Sequence, residues 1–221
     1  MHCRSLIEDQ AFMGAIVEVR DIEVRPAGPT IMAQVAQLDD QLTAAPADAA
    51  EERRSALRRM LRHGRYRPSG RSKPAQEYLR RQWDRSGELS LINNVVDVNN
   101  IVSLRHGLPM SVFDVGALRG ALTLRRGREG ERYVFNAGGQ ELDCQDLLVV
   151  CDDRGPVGSP VKDSRATKVF PGATHILYVL YGSPELIGAE EILAVAAELG
   201  QLLVADCSRG AMESPTLIAP L

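Results

Sequence analysis

Histidine and cysteine, the residues that most often build metal centres and nucleophilic sites, number only four each in this 221-residue chain, and neither is patterned. Cys3, Cys144, Cys151 and Cys207 form no Cys-x-x-Cys pair, and Cys144 and Cys151 flank an apolar stretch, as buried free thiols do. His2, His63, His106 and His175 have no metal-ligand spacing. Neither metal nor cofactor is expected. No Ser-His-Asp or Cys-His arrangement stands out, and no Gly-rich loop of the P-loop type is present. No apolar run reaches the roughly 18 residues that cross a bilayer. Glu8 and Asp9 come too early for a secretory signal, so the expected location is the cytoplasm.

What the chain does have is an ordinary globular composition, 44% hydrophobic and 25% charged, enough for a sizeable core. One domain spanning 1–221 is expected. The net charge of −3 conceals an asymmetry. Between Arg53 and Arg85 twelve Lys/Arg residues meet only Glu77 and Asp84, a local charge of +10 that the remainder balances with −13. Such a block suits an anionic polymer, and it equally suits a solvated helix pair bonded to an acidic body. Arg58, Arg62, Arg71 and Lys73 are the candidate RNA contacts.

Periodicity outlines the elements. Gly14 to Arg25 reads as strand, with β-branched residues in partial alternation. A helix is expected over about Thr30–Thr43, with Ile31, Val35 and Leu38 on one stripe, and then a turn at Ala44-Ala-Pro-Ala. Asp48 and Glu51 form a capping-box-like start to an arginine-rich helix ending at Gly64. Pro74 opens another helix, after a basic loop that holds Pro68 and Gly70. Leu122–Arg126 and Arg132–Phe135 read as a hairpin across Gly127 and Gly130. Asp146–Asp152 and Thr174–Gly182 read as apolar strands, and Gly188–Leu203 as a helix with Ile192, Ala196 and Leu199 on one face. No internal repeat is present.

The densest signal is Leu91-Ile-Asn-Asn-Val-Val-Asp-Val-Asn-Asn-Ile-Val-Ser-Leu-Arg-His-Gly-Leu-Pro-Met-Ser-Val-Phe-Asp114. Val98, Ile101 and Val102 recur at helical spacing, and Gly107 stands where a C-terminal cap belongs. Asparagine forms helices poorly, so Asn93, Asn94, Asn99 and Asn100 point to capping or a ligand. This stretch resembles the tRNA-editing B3/B4 domain of the bacterial phenylalanyl-tRNA synthetase beta subunit, which reads Asn-Asn-Val-Val-Asp-Val-Thr-Asn-Tyr-Val, a short helix, then Gly-Gln-Pro-Met-His-Ala-Phe-Asp. The order of later elements extends the resemblance over about residues 72–182. Residues 1–71 would then be an added strand-and-helix segment, and 188–203 a closing helix. The fold implied is α+β, with mixed, largely antiparallel sheets packed with helices.

In that family the pocket receives the aminoacyl-adenosine end of a tRNA and hydrolyses a wrongly attached amino acid. Carried over by position, the Thr-Asn pair becomes Asn99-Asn100 and the histidine becomes Ser111. The glycine-rich loop becomes Ser159-Pro-Val-Lys-Asp-Ser-Arg165, without glycine, and the strand glutamate has no counterpart in Tyr178-Val-Leu. The resemblance therefore implies Asn99, Asn100 and Ser111 as catalytic candidates and Lys162, Asp163, Ser164 and Arg165 as substrate-binding ones. Lys162, Arg165 and Lys168 together suit a carboxylate or phosphate. Ester hydrolysis needs no side-chain nucleophile where a water is positioned and the oxyanion stabilised. A freestanding aminoacyl-tRNA deacylase is one expectation. A non-catalytic module for tRNA, amino acid or nucleoside is the second, and a binder or hydrolase of unrelated small molecules the third. A complete tRNA ligase does not fit this length.

Overall fold

The computed structural model describes residues 3–44, 47–207 and 209–221, and within these the fold is α+β. Two sheets carry it. The first orders β1 (Cys3–Ser5), β4 (Leu122–Arg126), β7 (Leu148–Asp152) and β8 (Gly155–Gly158). Only the β1/β4 pairing is parallel. The second centres on β2 (Met13–Arg20) and β9 (His175–Gly182), antiparallel over eight residue pairs. β3 (Met110–Asp114) lies on the far edge of β9, while β10 (Ala211–Met212) and β11 (Thr216–Ile218) share the outer edge of β2. A separate ribbon joins β5 (Arg132–Val134) to β6 (Glu141–Asp143).

Six helices accompany the sheets among the described residues. α1 (Pro29–Ala36), α2 (Leu38–Ala44), α3 (Ala47–Leu61) and α4 (Ala75–Ser86) precede α5 (Asn94–His106), and α6 (Ala189–Asp206) follows β9. α6 lays Ile192, Val195, Ala196, Leu199 and Leu203 on β2 and β9 and also packs against α5. β7 and β9 read as unbroken apolar runs because both faces are buried. Cys3, Cys144 and Cys151 are buried free thiols, and burial pushes them up to about 12, 12 and 11, which makes them inert at neutral pH.

Two expectations need correcting. The helix over Thr30–Thr43 is two helices broken at Gln37, whose amide bonds back to Gln34 and Val35. The hairpin between Leu122–Arg126 and Arg132–Phe135 does not form. β4 pairs with β1 and β7, and β5 turns away to pair with β6. Backbone bonds from Gly127 to Leu147 and from Asp146 to Gly127 close β4 onto β7 and leave the ribbon as an excursion between them. A Cβ on Gly127 would stand 1.9 Å from the Cys144 carbonyl oxygen, so this closure requires glycine. The C-terminal residues, silent by pattern, supply the strands that cover the edge of β2. The turn expected at Ala45-Pro46, and the cap assigned to the Asp48 side chain, fall outside the described residues.

Candidate functional site

A cavity of about 810 Å³ opens between α5, α4, the end of β5 and the segment that follows β8. α5 is placed by its asparagines. Asn93 caps its first turn by accepting from the Val96 amide at 3.0 Å, and Gly107 closes it in the left-handed region at φ 62°. Asn94 is a structural tie, accepting from the Arg25 amide at 3.1 Å and donating to the Glu23 carbonyl at 2.9 Å. Beyond the cap, Val96, Asn99, Asn100 and Ser103 recur at helical spacing and line the cavity. Asn99 is buried, and its Oδ1 has no hydrogen-bond partner.

The opposite wall is the loop after β8, organised by Ser159. Its hydroxyl accepts from Tyr133 (2.9 Å) and from the Val161 and Lys162 amides (both 3.3 Å). The Tyr133 hydroxyl also lies 2.5 Å from the Lys162 carbonyl and shares its one proton between the two acceptors, so this backbone is pinned at several points. The loop brings Lys162 and Asp163 to the cavity. Asp163 Oδ2 accepts from the Val112 amide at 3.2 Å, while its Oδ1 is buried without a partner. Burial pushes this carboxyl from 3.8 up to about 7, against the pull of the Ser111 hydroxyl, the Val112 amide and the Lys168 charge. Gly158 makes room for the arrangement: a Cβ there would stand 2.4 Å from the Phe113 ring and 2.6 Å from Asp163 Oδ1.

The expected site residues divide. Asn99, Asn100, Lys162 and Asp163 share the cavity. Ser111 is fully buried in β3 behind the wall, bonded to the Tyr181 hydroxyl at 2.9 Å and the Ser159 carbonyl at 3.3 Å, and is not among the lining residues. Ser164 turns its hydroxyl to the Ala166 amide (3.2 Å) to cap a single 3-10 turn. Arg165 is exposed and does not line the cavity. Reasoning from pattern missed Phe135, Phe170 and Ile92. Ile92 and Phe170 are 66% and 55% exposed on the cavity's rim, a signal visible only once burial is known. None of the histidines among the described residues lines the cavity: His106 pairs with Glu198 and His175 with Glu18.

A second cleft, of about 710 Å³, lies between α3, α4 and α5 and collects much of the basic block. Arg58 and Lys73 line it, and Arg62 and Arg71 do not. Arg58 is not a free cation. It meets Glu77 through two hydrogen bonds of 2.7 and 2.5 Å, and the carboxylate pushes its guanidinium further up. Arg59 pairs with Glu185, Arg80 with Asp84 and Arg54 with Glu51, while Arg53 donates to the His106 carbonyl. Arg62, Arg71 and Lys73 have no ion pair among the described residues.

Known proteins resemble part of this chain in sequence. The beta subunit of phenylalanine–tRNA ligase from Streptomyces avermitilis is 39% identical over 82 residues, 37% of this chain and 10% of the ligase subunit. The subunit from Bifidobacterium longum is 32% identical over 133 residues, 60% of this chain and 14% of that one. The chain thus matches only a small part of these relatives' length. A solved N-terminal fragment of the phenylalanyl-tRNA synthetase beta subunit from Pyrococcus horikoshii superposes with a TM-score of 0.45 at 11% identity, covering 54% of this chain and 42% of that one, a likeness too loose to carry an argument. The family model described as the B3/4 domain matches residues 64–190, which spans α4, α5, the loop after β8 and every residue placed in the cavity beyond Pro26. That match covers more than half of the sequence, and the chain belongs to the B3/4 domain family.

Proposed function

We propose that the cavity receives the aminoacyl-adenosine end of a tRNA and that the protein hydrolyses a mischarged aminoacyl ester. One observation carries the reading: Asn99 and Asp163, from segments more than sixty residues apart, line one cavity, and each keeps a buried side-chain oxygen without a partner. A buried acceptor left unpaired costs about 1–3 kcal/mol, so two of them around one space fit a ligand that brings donors. The α-amino group and ribose hydroxyls of an aminoacyl-adenosine are such donors. The relatives' names, which are those of a tRNA ligase subunit, favour the same substrate class.

Within this reading Asp163 is the group that moves a proton. A carboxyl held at about 7 is part ionised at neutral pH and can take a proton from a water attacking the ester carbonyl. The proton then passes to the departing ribose oxygen, which leaves free amino acid and uncharged tRNA. Ser111 acts as a positioning residue from within β3, bonded to the Tyr181 hydroxyl and to the Ser159 carbonyl of the loop that carries Asp163. Asn99 and Asn100 orient the ester from α5. Action on tRNA places the protein in the cytoplasm. Lys73 and Arg62, unpaired on the basic block, supply phosphate contacts for the body of the tRNA.

A second reading, binding without hydrolysis, is favoured by the lack of an imidazole in the cavity among the described residues. One experiment separates the two. Release of amino acid from a panel of mischarged tRNAs is followed alongside salt-dependent tRNA binding. The proposal expects at least one species to be hydrolysed well above its spontaneous rate. Salt-sensitive binding with no hydrolysis of any species would establish the second reading, and neither binding nor hydrolysis would remove both.

A further inference from the structure

Two ammonium groups converge on one aromatic residue of the cavity wall. Lys162 Nζ stands 3.8 Å from the centroid of the Phe135 ring. Lys168 Nζ donates to the Phe135 carbonyl oxygen at 2.7 Å. All three residues line the cavity, and neither lysine has an ion pair among the described residues. Their footing is rigid. Beyond the bonds to Ser159 and Tyr133 that hold Lys162, the Ala75 amide at the start of α4 donates to the Pro160 carbonyl at 2.8 Å. That contact sets the loop after β8 against the segment carrying Arg71. Burial, with the like charges of Arg71 and Lys168, pushes the Lys162 ammonium down.

One acid inside the cavity offsets these cations only in part. Asp163 is the single carboxyl among its lining residues; it is bound to the Val112 amide and pushed toward the neutral form. Arg25, the remaining cation of the lining, is taken up by Asp206 at 3.1 Å. Two pinned cations facing one carboxyl that is only part ionised leave a surplus of positive charge that favours an anion, and lysines acting as point charges suit a phosphate group. The apolar rim of Phe170, Ile92 and Tyr78 beside them suits the flat face of a base.

We infer that Lys162 and Lys168, gathered on Phe135 with Arg71 close by, form a phosphate subsite of the cavity, which on the reading of the cavity as a tRNA-end site takes the phosphodiester preceding the terminal nucleoside. Arg165, placed in this cluster by sequence, is exposed outside the cavity.

The test compares adenosine, adenosine 5′-monophosphate and the dinucleotide cytidylyl-adenosine as probes, titrated into the full chain and into a Lys162→Met/Lys168→Met variant. Both phosphate-bearing probes are expected to bind the unaltered protein about tenfold more tightly than adenosine, from one charge-assisted contact or more. That advantage should shrink with added salt and vanish in the double variant. A Lys162→Arg/Lys168→Arg variant should retain it, which separates loss of charge from loss of fold. Equal affinity for the three probes, no binding of any, or an advantage that survives the Met substitutions would overturn the subsite. An advantage for the monophosphate alone would keep the subsite and assign it to a free nucleotide, against the tRNA reading.

Discussion

The cavity and the basic cleft share a boundary, since Tyr78 and Ser103 line both, yet they differ in how far their polar groups are matched. In the cleft three arginines are matched within the wall, Arg58 with Glu77, Arg80 with Asp84 and Arg54 with Glu51, while Lys73 has no ion pair among the described residues. In the cavity Asn99 Oδ1 and Asp163 Oδ1 are buried unmatched, and two lysines gather on Phe135 without an ion pair among the described residues. Counting charges along the sequence singles out the cleft, whereas counting unmet buried side-chain oxygens gives the cavity two, Asn99 Oδ1 and Asp163 Oδ1, and the cleft one, Gln76 Oε1. The second count is the better guide to a ligand, because an unmet buried group is a free-energy cost that binding removes. A paired surface arginine has nothing similar to gain.

The largest effect that would sharpen this contrast is catalytic. Asp163→Asn preserves shape and removes the titrating group, so deacylation should fall by about 100-fold or more. A rate within twofold of the parent would make the unmatched carboxyl irrelevant. Gly158→Ala comes next, because its methyl has no room between the fully buried Phe113 and Asp163. Denaturant unfolding should show a loss of about 1–3 kcal/mol, with weaker deacylation beside it. An unchanged midpoint would mean that this wall yields.

In the cleft the effects should be structural. Arg58→Met leaves Glu77, whose side chain is 11% exposed, without its bidentate partner. Because Arg58 itself is about one-third exposed, the expected loss is about 1–2 kcal/mol, below that of a fully buried pair. Adding Glu77→Gln should recover part of it, and a double-mutant cycle reads the difference. A fall in tRNA affinity with no loss of stability would reverse the assignment of Arg58. Arg62→Met and Lys73→Met carry the smallest effect. Each should leave stability within about 0.5 kcal/mol, while the salt slope of tRNA binding shrinks by about one.

Stability should also report the cavity's carboxyl. Asp163 holds its proton up to about 7, whereas the unfolded chain releases it near 3.8. The folded state therefore binds more protons between those values, and this group's contribution to stability declines from about pH 4 to about pH 7 and is level beyond. Melting temperatures of Asp163→Asn should gain on the parent across that window. A constant difference from pH 4 to 8 would show that the carboxyl ionises normally.

Much of the fold was legible where local chemistry and tertiary packing agree. The Asn93 cap, the apolar spacing of α5 and the stop at Gly107 are local signals, and they fix the helix that walls the cavity. The apolar runs of β7 and β9 likewise announced buried strands. Legibility failed where the partner lies far along the chain. Nothing in Leu122–Val134 says that β4 turns to β1 and β7 in preference to the adjacent β5, since both choices satisfy the same alternation. The site divided in the same way. Asn99 and Asn100 followed from the motif, and Lys162 and Asp163 from their place in the segment that stands where the family has its glycine-rich loop. The burial of Ser111, the outward turn of Arg165 and the capture of Arg58 by Glu77 depend on packing between distant segments, which spacing does not encode.

The most direct test is the single-turnover hydrolysis rate of a mischarged tRNA as a function of pH, for the parent protein and Asp163→Asn. The account predicts a rate that rises as the carboxyl ionises and levels above about pH 7, and a variant that is slow and lacks this step. Equal rates and parallel pH profiles in the two proteins, or no hydrolysis of any mischarged species, would contradict it.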